Sequence, residues 1–171
     1  NCRYICFDGE YAYVSSYAGP VQIDPNARLG YVAKIDIKTL QVVDTCTVGY
    51  QPDELVVSDG RIYVANSGGY RVPNYDRTVS VIDIASFRVV ETIDVAINLH
   101  RMEVDKRGYV WVSSRGDYYG RGSKTFVIDT KGNEVCDSFE VANSEMTISG
   151  DSLYIIGSEW SYVSNSWRVT Y

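Results

Sequence analysis

Histidine is almost missing from this chain: one among 171 residues, His100. A lone imidazole cannot build a metal site, and no serine or cysteine near it stands in a recognisable nucleophile motif, so His100 reads as a hydrogen-bonded loop histidine. Basic residues are also short, with 16 Lys and Arg against 22 Asp and Glu and a net charge of -6. Nucleic-acid affinity rests on Lys and Arg displacing counterions, so a nucleic-acid partner is excluded. No stretch reaches the roughly 18 apolar residues of a membrane span. Residues Asn1 to Asp8 lack the basic start and apolar run of a signal peptide, so an export signal, if there is one, lies upstream of Asn1. The four cysteines, Cys2, Cys6, Cys46 and Cys136, match no C-x-x-C spacing. The last three fall within apolar strands and are expected to be buried free thiols. A Cys2–Cys6 bridge is ruled out, because residues four apart on one extended strand have Cα atoms roughly 13 Å apart.

What the chain does have is a repeat. Tyr11-Ala-Tyr-Val-Ser-Ser16, Ile62-Tyr-Val-Ala-Asn-Ser67, Val110-Trp-Val-Ser-Ser114 and Leu153-Tyr-Ile-Ile-Gly-Ser158 align on Tyr13, Tyr63, Trp111 and Tyr154, which are 50, 48 and 43 residues apart. A second motif keeps register with the first: Lys34-Ile-Asp-Ile37, Val81-Ile-Asp-Ile84 and Val127-Ile-Asp-Thr130, with Asp36, Asp83 and Asp129 spaced by 47 and 46. Each of these aspartates ends a strand before a turn, where a carboxylate accepts backbone N–H groups. A carboxylate that recurs in every unit is structural, since a catalytic pair would occur once.

Periods of 40 to 50 residues built from short strands and turn residues, with almost no helical periodicity, specify an all-β propeller of four-stranded antiparallel blades. Three and a half blades are expected in one partial domain over residues 1–171: roughly 3–48, 54–95, 101–141 and an incomplete 145–171. The last blade supplies strands near Glu145 to Ser149 and Leu153 to Ile156, and the sequence stops inside its third strand.

The Tyr-Val-x-Asn strand followed by Thr-Val-Ser-Val-Ile-Asp and Val-Val-x-Thr-Ile-x-Val, best seen in Ile62 to Gly69, Thr78 to Ile84 and Val89 to Val95, resembles the YVTN family of β-propeller repeats. The long Tyr-rich insertions are similar to those of exported YVTN-like propellers of gut bacteria, a group that includes surface lipoproteins capturing vitamin B12. The resemblance implies an exported protein of the periplasm or outer-membrane surface of a Gram-negative bacterium, and a corrinoid or glycan among candidate ligands. No ligand-contacting residue of that group is matched position by position, and the Trp-Asp signature of WD40 blades is missing.

In propeller connectivity the loops between second and third strands share one rim with the connections between blades. The opposite turns, such as Asp8-Gly9, Asp59-Gly60 and Lys131-Gly132, are short. The rim loops Tyr17 to Gly30, Ser67 to Arg77, Ser114 to Ser123 and Ser158 to Asn165 are long, and function concentrates in long loops on a rigid scaffold. They carry Tyr17, Tyr70, Arg71, Tyr75, Arg115, Asp117, Tyr118, Tyr119, Trp160 and Tyr162, with Arg77 and Arg121 among them and His100 nearby. Tyr, Trp and Arg dominate binding hot spots because they offer large flat contact area and little rotamer loss. The competing reading is that the rings pack across neighbouring loops and stiffen them. Asp24-Pro-Asn26 and Asp117 supply too few spaced carboxylates for a calcium site.

Tyr17, Tyr70, Arg71, Tyr75, His100, Arg115, Asp117, Tyr118, Tyr119, Trp160 and Tyr162 are the candidate ligand-binding set, with no catalytic residue, no metal and no cofactor assigned. The first functional reading is a non-catalytic module binding a small molecule, with corrinoid and glycan the classes the resemblance suggests, or a protein. The rivals are a propeller enzyme of lactonase or lyase type with its catalytic residues in blades outside this chain, and a scaffold that binds only proteins. First-strand residues Arg3, Glu54, Arg101 and Glu145 alternate in sign and are expected to tie adjacent blades by ion pairs. Open blade faces at either end of the array, each forgoing about 8 to 10 kcal/mol of burial, call for remaining blades or a second copy.

Overall fold

The computed structural model describes residues 1–117, 120–161 and 164–170. Fifteen strands and no helix are present among the described residues. Blade 1 comprises β1 (Cys2–Asp8), β2 (Tyr11–Ser16), β3 (Leu29–Asp36) and β4 (Val42–Tyr50). Blade 2 comprises β5 (Pro52–Ser58), β6 (Arg61–Asn66), β7 (Thr78–Asp83) and β8 (Arg88–Asp94). Blade 3 holds β9 (Leu99–Val104), β10 (Val110–Ser114), β11 (Lys124–Asp129) and β12 (Glu134–Phe139). Blade 4 holds β13 (Glu145–Ser149), β14 (Ser152–Ser161) and β15 (Ser166–Thr170). Each sheet is an antiparallel meander in sequence order, and the first strands β1, β5, β9 and β13 pack successively against one another. This is the blade architecture expected from the repeat.

The turns follow from their residues. Asp59 and Gly60 both sit at positive φ, 47° and 72°, the conformation of a tight hairpin turn that Asp-Gly adopts readily. At the turn from third to fourth strand, Asp36 Oδ1 accepts from Lys38 N (2.9 Å) and Thr39 N (2.8 Å), and Asp83 Oδ2 accepts from Ser86 N (2.7 Å). Asp129 Oδ1 does the same for Lys131 N at 2.9 Å. The recurring aspartates are therefore turn caps, as expected.

Burial on both faces of blade 2 makes the core. Tyr13, Val32, Cys46 and Val48 of blade 1 meet Leu55, Ile62, Val64, Ile82 and Phe87 of blade 2. On the other side Tyr63, Ala65, Val79, Val81 and Ile93 meet Leu99, Met102, Val110, Val112 and Ile128 of blade 3. The aromatic anchor of one blade reaches the third turn of the next: Tyr13 lies on Phe87 with ring centroids 5.9 Å apart, and Tyr63 Oη donates to Asn133 Oδ1 at 2.9 Å. The equivalent Tyr154, in the last of the described blades, is 59% exposed.

Two expectations are corrected. Cys46 is buried and Cys6 half-buried, but Cys136 is exposed, because β12 is the outermost strand of its blade and receives little cover. The fourth rim segment does not begin as a loop: β14 runs on to Ser161 and pairs with β15 as far as Ser161 opposite Ser166, so residues 158–161 are strand. Trp160 thus lies in β14, opposite Trp167, instead of in a loop.

Candidate functional site

The inner strands bring their first residues together at the rim end of the axis. Strand register puts Cys2 opposite Ser16, Pro52 opposite Asn66 and Leu99 opposite Ser114, so Arg3, Asp53 and His100 form one rung across three blades. A second rung, one residue deeper, consists of Tyr4, Glu54, Arg101 and Glu145. The expected series of alternating signs is therefore out of step at its first member: Arg3 faces Asp53, and Tyr4 is the true neighbour of Glu54. The same register break recurs in β1, β5 and β9, so the three strands stay level, and Arg3 and Asp53 each precede their anchor, Tyr13 or Tyr63, by ten residues. The remainder of the series stands, since Arg101 bridges Glu54 (Nη1 to Oε1, 3.7 Å) and Glu145 across three blades. Its guanidinium also lies 5.0 Å from the Tyr4 ring.

Asp53, 1% exposed, is the centre of the upper rung. Its Oδ1 accepts from Arg3 Nε at 3.2 Å and from Tyr17 Oη at 3.1 Å, while Oδ2 faces His100 Nδ1 at 3.2 Å. Arg115 Nη2 stands 2.7 Å from His100 Nε2, and Arg115 Nη1 is 3.8 Å from Asp53 Oδ2. A guanidinium can only donate, so Nε2 must hold a lone pair. His100 is then the neutral tautomer protonated at Nδ1, which donates to Asp53. Burial, and after it the Arg115 charge, holds the imidazole below its usual titration range against the pull of Asp53. Burial works against ionisation of Asp53 as well. The His100 hydrogen bond and the charges of Arg3 and Arg115 outweigh it and keep the carboxyl below its ordinary value. Ser15 Oγ donates to the Asp53 backbone carbonyl at 2.6 Å, fixing the residue from below.

Of the residues expected at the site, Tyr17, His100 and Arg115 are brought together here. Tyr17 is buried, with the Arg3 guanidinium 5.0 Å from its ring and Tyr70 edge-on at 6.5 Å. Tyr70 in turn links two rim loops: its N–H donates to Gln51 Oε1 at 2.8 Å and its carbonyl accepts from Asp24 N at 2.9 Å. Arg71 turns away to stack over Tyr50 at 3.6 Å and to donate to the Asn74 carbonyl at 2.9 Å. Tyr75 is half-buried in the same loop. Asp117 caps its own loop tip, accepting from Gly120 N and Arg121 N, both at 2.9 Å. Tyr118, Tyr119 and Tyr162 lie outside the described residues. No group of three potential metal-ligating side chains occurs among the described residues.

Asp53, the residue on which the site turns, was not among the expected ones. Its only sequence signal is an acidic residue at a first-strand start, and Glu54 beside it carries the same signal. Further out on the rim, between blades 2 and 3, lies an open groove of about 590 Å³ floored by Val95, Ala96, Ile97 and Phe126, with Arg77, Arg121 and Lys124 on its lip.

Fold and rim together define this chain as a segment of a β-propeller. Among solved structures it is similar to Kuenenia stuttgartiensis hydrazine synthase, with a TM-score of 0.64 at 19% identity over 95% of this chain and 47% of that one. It is also similar to the WD40 β-propeller domain of Doa1 (TM-score 0.54, 9% identity, 85% of this chain and 42% of that one). The third is dihydro-heme d1 dehydrogenase NirN in complex with DHE (TM-score 0.59, 19% identity, 93% of this chain and 33% of that one). The chain thus spans less than half the length of each. No family model and no curated protein matches the sequence.

Proposed function

We propose that this chain is part of an exported, non-catalytic propeller of YVTN type that captures a ligand on its long-loop rim, with the axial mouth at Asp53 as the heart of the site. The carrying observation is the convergence of Tyr17, His100 and Arg115, from three separate segments, on one buried carboxylate. Blade stacking alone does not call for such a cluster. The matching position in blade 4 is Ser144, whose hydroxyl faces another hydroxyl, that of Ser158.

The ligand is a small molecule, with corrinoids and glycans the classes suggested by the YVTN resemblance, or a protein. No cofactor enters this reading. Further blades of a longer chain, or a second copy, cover the open faces at either end. Catalysis by His100 is disfavoured, because Arg115 already occupies the lone pair that a general base would use. A lactonase or lyase reading would need acid, base or metal-binding residues from blades beyond this chain.

The test is calorimetric titration of the intact protein with cobalamin and with oligosaccharides, comparing wild type with Tyr118→Ala/Tyr119→Ala. Retained fold with weakened affinity is expected, and unchanged affinity counts against the rim. A stoichiometric bound metal would favour the enzyme reading.

A further inference from the structure

Charge at the upper rung does not balance. Arg3 and Arg115 bring two permanent positive charges to Asp53, while His100, held neutral by the hydrogen-bond geometry, brings none. One carboxylate faces two guanidinium groups, which leaves one uncompensated positive charge in a chain whose net charge is -6. The lower rung does not cancel it. There Arg101 is already shared between Glu54 and Glu145, and the Glu54 carboxylate accepts from Met102 N at 2.8 Å.

The hydrogen-bond donors of the cluster likewise outnumber its acceptors. Asp53 has both oxygens engaged and its backbone pinned by Ser15, so it cannot swing to satisfy more N–H groups. Arg3 spends Nε on Asp53, and its two terminal nitrogens make no hydrogen bond among the described residues. Arg115 spends one terminal nitrogen on His100 Nε2, and its other terminal nitrogen is only within ion-pair distance of Asp53. The two side chains are 28% and 36% exposed, so the unspent donors are within reach of solvent at the mouth. Arg3 is steadied by the Tyr17 ring and Arg115 by His100, which removes part of the ordering cost of gripping a ligand.

We infer that the axial mouth is an anion-recognition site, in which Arg3 and Arg115 grip a carboxylate or phosphate group of the ligand while Asp53 and His100 act as positioning residues. This names the ligand chemistry for the rim reading above and rests on it. The planar forks of two arginines on opposite oxygens of one fixed carboxylate match a flat or tetrahedral oxyanion better than a neutral sugar hydroxyl.

Because His100 is the only histidine, its ring signals in a 1H–15N NMR spectrum report on the mouth without assignment ambiguity. Inorganic phosphate, and separately acetate, titrated into the intact protein at constant ionic strength with chloride as counter-titrant, is expected to shift those signals saturably. Arg115→Gln and Arg3→Gln should each weaken that response at least tenfold, while Arg88→Gln, exposed at the start of β8 on the opposite side of the blade, leaves it unchanged. A linear, chloride-like drift in the wild type, or a response retained in both mouth variants, overturns the inference; the wild-type titration decides even where a variant fails to fold. The two readings fail separately. Cobalamin or oligosaccharide binding that depends on Tyr118 and Tyr119 without an oxyanion response at His100 sinks the anion site alone. An oxyanion response alongside rim variants of unchanged affinity sinks the rim reading.

Discussion

Leu40 and Phe87 occupy the same point in successive blades, both at positive φ (57° and 52°) in the turn between third and fourth strands, yet Leu40 is 76% exposed and Phe87 2%. Phe87 is buried because Tyr13 of the preceding blade lies on it; among the described residues no such ring lies on Leu40. Phe87→Ala should therefore cost about 3 to 5 kcal/mol in urea denaturation, as for other buried aromatics. If a further blade or second copy covers this face in the intact protein, as proposed, Leu40→Ala should cost about 2 to 5 kcal/mol there. A neutral Leu40→Ala would mean that this face stays open.

Arg101 holds Glu54 and Glu145 of the flanking blades. Arg101→Ala leaves two carboxylates facing each other, with an expected loss of about 1 to 2 kcal/mol at pH 7, discounted from the fully buried case because the group is partly wet. Adding Glu54→Gln should restore part of that loss. Strict additivity of the two changes in a double-mutant cycle would refute the coupling.

Acidification should weaken the fold through His100. Its folded pKa lies below the unfolded value of 6.5, lowered first by burial and then by Arg115, with Arg101 adding to the effect and Asp53 opposing it; Tyr4 packs edge-on and Arg3 and Tyr17 share the same carboxylate. The unfolded chain then binds the proton more readily. The stability conferred by the neutral histidine is complete above about pH 6.5 and declines as pH falls toward the depressed folded value. Asp53, also depressed, adds a loss of the same sign at lower pH, below its ordinary value of 3.8. Urea midpoints measured from pH 8 to pH 5 should fall, and the fall should be smaller in His100→Gln.

Thiol chemistry should divide the four cysteines. Burial, followed by the charges of Asp8 and Glu54, pushes the Cys6 thiol up to about 12, and burial raises that of Cys46. Cys2 and Cys136 are exposed. Alkylation at pH 8 followed by peptide mass mapping should label Cys2 and Cys136 first, with Cys6 and Cys46 modified only on unfolding. Rapid labelling of Cys6 would contradict the packing of β1 against blade 2.

The blades were legible because each is specified several times over. Tyr13, Tyr63, Trp111 and Tyr154 recur in register with Asp36, Asp83 and Asp129, and local turn chemistry agrees with the long-range period. The site was legible in part. Tyr17, His100 and Arg115 stood out by residue type and loop position, whereas Asp53 has no counterpart in the other blades and lies beside an equally acidic neighbour. The hairpin ending at Ser161 was missed because its Ser-rich segment carries turn residues on both sides of the connection.

Sequence alone determined the all-β class, the four-stranded antiparallel blades and the capping aspartates, since these follow from short-range pattern and from a period that repeats. Only the tertiary structure decided which first-strand side chains share a rung. Arg3 meets Asp53 and not Glu54 because the same register irregularity recurs in β1, β5 and β9 and keeps the three strands level, and the contact itself forms only when neighbouring blades pack around the axis.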